Sequence, residues 1–332
     1  MLSWGLLGVP FIDGANAQTL LPPQEYSPSW GREFPLGDFN RSIVDYDEIL
    51  SGGPPRDGIP AIDAPKFISL AEATTRYAAT EPVIGLQVNG EAKAYPLQIL
   101  TWHEIANDII GGVPVAVTYC PLCNAAIVFD TRIAGTAHTF GVSGRLRKSD
   151  MIMYDRQTES WWQQFSGEAL IGDHVGHTLV KLPSRIESFE RFAQRFSDGR
   201  VLVPKRENQR KYGRNPYRSY DAEDGRSFLY RGTLPKGIPP MARVIVVEGH
   251  EEQAYAMSLI AQEGIPRDGA IEISWTAGQN SALDTSEIAA GRDVGNIVVQ
   301  FVEANGNRRD AVHDVTFAFV YSAFVEAGRI LQ

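Results

Sequence analysis

The two cysteines of this chain stand three positions apart, in Tyr119-Cys120-Pro121-Leu122-Cys123-Asn124. Thiols at this spacing act either as a redox dithiol or as half of a metal site. A redox pair opens a helix, whose N-terminus lowers the thiol pKa. Here the pair is followed by Ala125-Ala126-Ile127-Val128-Phe129, a strand-forming run. Pro121 presets φ for a tight turn. The spacing therefore predicts a thiolate knuckle between two strands, with turn N–H groups able to stabilise charged sulfur. A disulfide-stapled fold would carry more cysteines, more widely spaced.

Two sulfurs do not complete a metal site, and the other soft or borderline donors are histidines. His103, in Trp102-His103-Glu104, is the first candidate ligand, and His138 is the second. Glu104 or Asp108 would orient an imidazole from behind. Two thiolates with one or two imidazoles suit copper(I) or zinc(II). A polar pocket beside the knuckle is expected from Ser143, Ser149, Asp150, Asp155, Arg156 and Gln163, with Trp161 and Trp162 as its apolar wall. Asp155-Arg156 with Thr158 and Ser160 close behind also reads as a tied-down turn. His174, His177, His250 and His313 have no local context that assigns them. Two rival readings stand beside the metal: a thiol enzyme or dithiol using Cys120 and Cys123 with His103 as base, and a binding module whose cysteines form a local disulfide.

The elements that must position these residues follow from periodicity. Val83 to Val88 and Glu91 to Tyr95 read as a hairpin across Asn89-Gly90. Leu97, Leu100, Ile105 and Ile109 suggest a helix from Leu97 to Ile110, carrying His103 and ended by Gly111-Gly112. Val113 to Tyr119 and Ala125 to Asp130 flank the knuckle as strands, Met151 to Tyr154 is a short strand, and Ser184 to Phe196 reads as one amphipathic helix. Residues 18–80 form a Pro/Gly-rich extended arm whose Phe34, Phe39, Ile43 and Ile49 lay it on the body. The basic, Tyr-bearing loop from Lys205 to Tyr220 reads as a solvated connector, or alternatively as a lid or anion-binding loop.

The chain also repeats itself. Val83 to Tyr95 resembles Val244 to Tyr255, and Val115 to Tyr119 resembles Ile271 to Trp275. In that register Cys120 falls on Thr276, Cys123 on Gln279 and Asn124-Ala125-Ala126 on Asn280-Ser281-Ala282. A period this long indicates a duplicated domain. The expected organisation is a possible signal remnant (1–17), the arm (18–80), a first repeat with the knuckle (81–200), the basic linker (201–240) and a second repeat without thiols (241–332). The fold class is α+β, β-rich, with two related sheet-based halves and short helices.

Bulk properties narrow the function. A net charge of -9 repels phosphate backbones and argues against nucleic acid as a partner. No phosphate loop or dinucleotide fingerprint appears, so no nucleotide cofactor is expected. No apolar run reaches the roughly 20 residues that span a bilayer. Ala15-Asn16-Ala17 after a short apolar stretch reads as an export cleavage site, although the positive n-region is missing; a disordered arm is the alternative. A periplasmic or secreted protein follows, with a small molecule or an envelope protein as partner.

Several longer motifs carry a family resemblance: Asp57-Gly58-Ile59-Pro60-Ala61-Ile62-Asp63, Ala94-Tyr95-Pro96-Leu97, Trp102-His103-Glu104, Tyr119 to Cys123, Phe140-Gly141-Val142-Ser143-Gly144, and Met153-Tyr154-Asp155-Arg156 with Thr158 and Ser160. From about Arg41 onward the chain resembles the bacterial family called domain of unknown function 3179. The resemblance implies exported or membrane-anchored proteins and a family-level site at His103, Cys120 and Cys123, and it names no reaction. Where the family usually has glycine after the second cysteine, Asn124 stands here. Asparagine tolerates the left-handed conformation that such a turn requires.

Overall fold

The computed structural model describes residues 19–222, 224–263, 267–268 and 270–332; the export segment lies outside them. The protein is β-rich, built from several small sheets with short helices between them. Among the described residues no helix is long and apolar enough to cross a membrane.

The first hairpin is as the sequence predicts. β1 (Pro82–Val88) and β2 (Glu91–Pro96) join through Asn89 and Gly90, both at positive φ, the twist that a two-residue hairpin turn demands. The segment that follows is not one helix. It is a single turn, α1 (Leu97–Leu100), and then a strand, β3 (Ile105–Ile110). β-Branched Ile105, Ile109 and Ile110 with Asn107 and Asp108 resist helix and suit a pleated edge. Gly111 and Gly112, at φ 53° and 80°, are the turn into β4 (Val113–Cys120) rather than a helix stop. β5 (Ala125–Asp130) pairs back on β4 with Cys120 opposite Ala125.

Residues 131–179 then leave this sheet and build another. β6 (Phe140–Arg147), β7 (Asp150–Asp155) and β8 (Trp161–Gln163) form its centre, with Ile49–Ser51 and Ala169–Ile171 at the edges. The arm packs on this sheet: Trp30, Phe34 and Phe39 surround Trp161 at ring-centroid distances of 4.8, 5.1 and 5.2 Å. Gly144, at φ +74°, admits the arm's backbone so closely that a Cβ there would sit 2.2 Å from the Pro54 carbonyl.

The chain returns through β9 (Arg185–Ser188), α2 (Phe189–Arg195) and β10 (Arg200–Val203). The expected helix from Ser184 to Phe196 is thus half strand. Arg185–Ser188 pairs with β1, and Ser188 caps the shortened helix by accepting from the Arg191 N–H. The sheet order is β9-β1-β2-β10 with Lys66–Ser69 outermost, and β10 runs parallel to β2.

The C-terminal part contains β11 (Arg243–Val247), β12 (Gln253–Ala256), α3 (Met257–Glu263), β13 (Ile271–Thr276), β14 (Asn296–Val302), β15 (His313–Phe317), α4 (Ala318–Phe324) and β16 (Arg329–Leu331). Its first sheet has the order β15-β11-β12-β16, again with the last strand parallel to its neighbour. The ungapped register, which sets Asn280-Ser281-Ala282 against the start of β5, fails here. β13 does not turn tightly into its partner: Asn280-Ser281-Ala282 lies in a long excursion, and β14 begins only at Asn296. The Lys205–Tyr220 loop is not a solvated connector either. Tyr212, Tyr217 and Tyr220 pack on the main core and Asn215 is buried, because aromatic side chains gain more from burial than the intervening basic ones lose by lying at the rim.

Candidate metal centre

The knuckle forms from local chemistry. The Cys123 N–H donates to the Cys120 carbonyl at 3.1 Å, closing a turn with Pro121 at its second position. Asn124 follows at φ +52°, the left-handed residue that redirects the chain into β5. Its side chain is committed to the C-terminal part, donating to the Val315 carbonyl at 2.8 Å. Thr316 Oγ1 donates to the Cys123 carbonyl at 2.8 Å, and the Phe317 N–H to the same oxygen at 3.2 Å. β15 therefore clamps the turn from behind. Tyr220 closes it from the front, donating to the Leu122 carbonyl at 3.1 Å.

Both cysteines are free thiols and buried. The third group beside them is Asp150. One ligand atom from each of Cys120, Cys123 and Asp150 lies within 4.8 Å of the others. Asp150 is placed by a second tight turn. Lys148 and Ser149, at φ 54° and 70°, form the two-residue link between β6 and β7, with Arg147 opposite Asp150. That turn is held on both sides: Lys148 Nζ donates to the Ala323 carbonyl at 2.8 Å, and Ser149 Oγ meets Ser227 Oγ at 3.2 Å. One carboxylate oxygen of Asp150 accepts from Gln163 Nε2 at 2.7 Å and from the Phe165 N–H at 2.8 Å. The other, Oδ1, is buried without a partner.

The electrostatics are those of a buried nest of acids. Burial pushes both thiols up, Cys123 well above the ordinary range. Burial, opposed by its hydrogen bonds, pushes Asp150 to about 6. Glu104 stands close enough to feel Asp150, and burial together with that charge pushes it to about 8. Glu104 holds a non-glycine positive φ of 57°, fixed by its carbonyl accepting from the Tyr119 N–H at 2.8 Å. Neither Asp150 nor Glu104 has an ion-pair partner among the described residues. A buried carboxylate without a counter-charge is costly, and a bound cation is one way to offset it.

His103 is not in this group. It lies in the turn between α1 and β3, not on a helix face. Its Nδ1 is 2.7 Å from the Pro60 carbonyl and its Nε2 is 2.8 Å from the Tyr212 hydroxyl. Both ring nitrogens are thus occupied away from the sulfurs, and burial lowers its pKa toward the neutral form. His103 pins the arm and the basic loop to the body, while its neighbour Glu104 faces the site. Asp108 orients no imidazole; it accepts from Lys93 Nζ at 2.9 Å and from Tyr95 at 2.6 Å.

Of the expected pocket residues, Ser149, Asp150 and Gln163 gather at the knuckle and the others do not. Ser143 Oγ donates to the Ile152 carbonyl, and Arg156 pairs with Asp63 at 2.7 Å. Trp161 belongs to the arm's core and is no wall of this pocket. Asp155 lies at the far end of β7, about 16 Å along the strand from Asp150. There it ties down its turn by accepting from the Thr158 N–H at 2.8 Å. His138 is likewise with Asp155, not with the cysteines. The sequence signal that would have promoted Asp150 is its place just after Lys148-Ser149, where a two-residue turn fixes the strand's first side chain.

The family described as Protein of unknown function (DUF3179) matches residues 56–328, and the chain belongs to it. Searches of curated proteins and of solved structures find no match to the chain.

Proposed function

We propose that this protein binds one thiophilic metal ion, zinc(II) or copper(I), through Cys120, Cys123 and Asp150, and that its role is metal handling in the cell envelope. The observation that carries this reading is the convergence of two buried thiols and a buried carboxylate within 4.8 Å, with Asp150 Oδ1 left without a hydrogen bond. Sulfur donors suit both ions; a carboxylate as third donor favours zinc(II) over copper(I), which prefers soft ligands. Gln163 and the Phe165 N–H would orient Asp150 as an outer shell does. Three protein ligands leave a fourth position for a substrate, a water or a transfer partner. The thiol-enzyme alternative has less support, because burial favours the protonated, unreactive thiol.

Two further parts of this reading concern organisation and place. Related halves are supported by matched connectivity: β9-β1-β2-β10 and β15-β11-β12-β16 share order, strand directions and the placing of α2 and α4 before their last strands. Residues 131–179 would then be an insertion peculiar to the first half, and this insertion supplies Asp150. Export rests on Ala15-Asn16-Ala17 and is checked by sequencing the N-terminus of the mature protein.

The test is the metal content of protein purified without chelator, beside a Cys120→Ser/Cys123→Ser variant shown to be folded by circular dichroism. The wild type is expected to carry about one equivalent and the variant none. Equal content in the two would overturn the reading, and an intact mass short by two hydrogens would point to a disulfide instead.

A further inference from the structure

β7 carries a carboxylate at each end, and the far one stands in a second cluster of different chemistry. Ring nitrogens of His138 and His174 and a carboxylate oxygen of Asp155 lie within 4.8 Å of one another. The rings of His138 and His174 meet edge to face, with centroids 5.1 Å apart. We infer that His138, Asp155 and His174 form a second metal site, for a divalent first-row transition ion, separate from the cysteine centre.

Each donor is held in a state fit for ligation. His138 Nδ1 is 2.9 Å from the Thr136 carbonyl. A carbonyl only accepts, so the neutral ring has its proton on Nδ1 and its lone pair on Nε2. The same arrangement, an imidazole donating through one nitrogen to a carbonyl, is what orients ligating histidines elsewhere. Nε2 of His174 is buried and has no hydrogen-bond partner.

Asp155 is buried, and no lysine or arginine pairs with it among the described residues. One of its oxygens accepts from Trp162 Nε1 at 3.0 Å and the other from the Thr158 N–H at 2.8 Å. The Thr158 hydroxyl lies 3.0 and 2.9 Å from the two oxygens and has one proton to give, so at least one oxygen retains a lone pair. These bonds hold the carboxylate as an outer shell would. Two imidazoles and one carboxylate form a borderline-to-hard donor set, suited to zinc(II), iron(II) or manganese(II) and poorly suited to copper(I). His174 is half-buried and stands at the outer side of the cluster, beside buried His138 and Asp155. All three donors lie in residues 131–179, the segment that also supplies Asp150.

The two sites are separable by spectroscopy on the full chain. Cobalt(II) on thiolate sulfur gives intense charge-transfer absorption; on nitrogen and oxygen donors it gives only weak ligand-field bands. Cobalt(II) and zinc(II) titrations would be run on the wild type and on His138→Gln and His174→Gln. The wild type is expected to bind an equivalent that adds no charge-transfer intensity. Each variant should weaken that equivalent by more than about 100-fold while leaving the charge-transfer band in place, which also shows the chain still folded. A wild type without this equivalent, or variants that keep it, would overturn the inference. Absence of the charge-transfer band alone would count against the cysteine centre and leave this one standing.

Discussion

Asp150→Asn separates the cost of the buried carboxylate from its use. Burial raises the Asp150 pKa from 3.8 to about 6 in the folded chain. That is about two pKa units, or on the order of 3 kcal/mol. The folded pKa lies above the unfolded one. Between about pH 4 and pH 6 the native state therefore holds the proton more tightly than the unfolded chain, and the stability this contributes is lost as pH rises through that window. Asparagine has no such proton. Its carbonyl oxygen can still accept from Gln163 and from the Phe165 N–H, so the local hydrogen bonds survive. The stability of metal-free Asp150→Asn relative to wild type should then grow by about 3 kcal/mol from pH 4 to pH 7. Urea unfolding of both proteins, with chelator and reductant, measures this directly. Metal affinity should move the opposite way, falling by at least about 100-fold with the loss of an anionic ligand. A stability difference that does not change with pH would refute the electrostatic argument. A variant that binds zinc as tightly as wild type would refute the role of Asp150 as a donor.

Two more expectations follow from the same geometry. Because burial keeps both thiols protonated near neutral pH, zinc must displace their protons, so log K should rise by roughly two per pH unit between about pH 6.5 and 8; calorimetry in buffers of different ionisation enthalpy reads the released protons, and a flat profile would mean the sulfurs are already thiolates. At Asn124, glycine keeps the left-handed conformation and loses only the bond to Val315, a cost of about 1–2 kcal/mol with metal binding retained. Valine at the same position adds backbone strain and should cost about 1–3 kcal/mol more; thermal melts that rank the two variants equally would show that φ there is not what holds the knuckle.

Much of the scaffold was legible because it depends on neighbouring residues. Asn89-Gly90, Pro121 and Asn124 each dictate their own backbone, and the strands around them alternate or run apolar as buried strands do. The errors fell where pairing overrode local pattern. Ile105–Ile110 has apolar residues at near-helical spacing, yet it is a strand because β4 lies beside it. Arg185–Ser188 is a strand because β1 needs an edge partner. Tyr212, Tyr217 and Tyr220 looked like parts of a connector because nothing in their own segment shows the surface they cover.

By itself, the sequence determined that the thiols sit on a strand-to-strand turn and not on a helix, since Pro121 and the run from Ala125 to Phe129 leave the backbone little choice. It also determined the family. Only the tertiary structure decided the third donor. Asp150 is 27 positions from Cys123 and reaches it because the turn at Lys148-Ser149 carries β7 back beneath the knuckle, while His103, 20 positions from Cys123, is drawn away by Pro60 and Tyr212. Side-chain identity sets which atoms can ligate; which of them meet is set by pairing between distant strands, and that information lies in contacts no single segment contains.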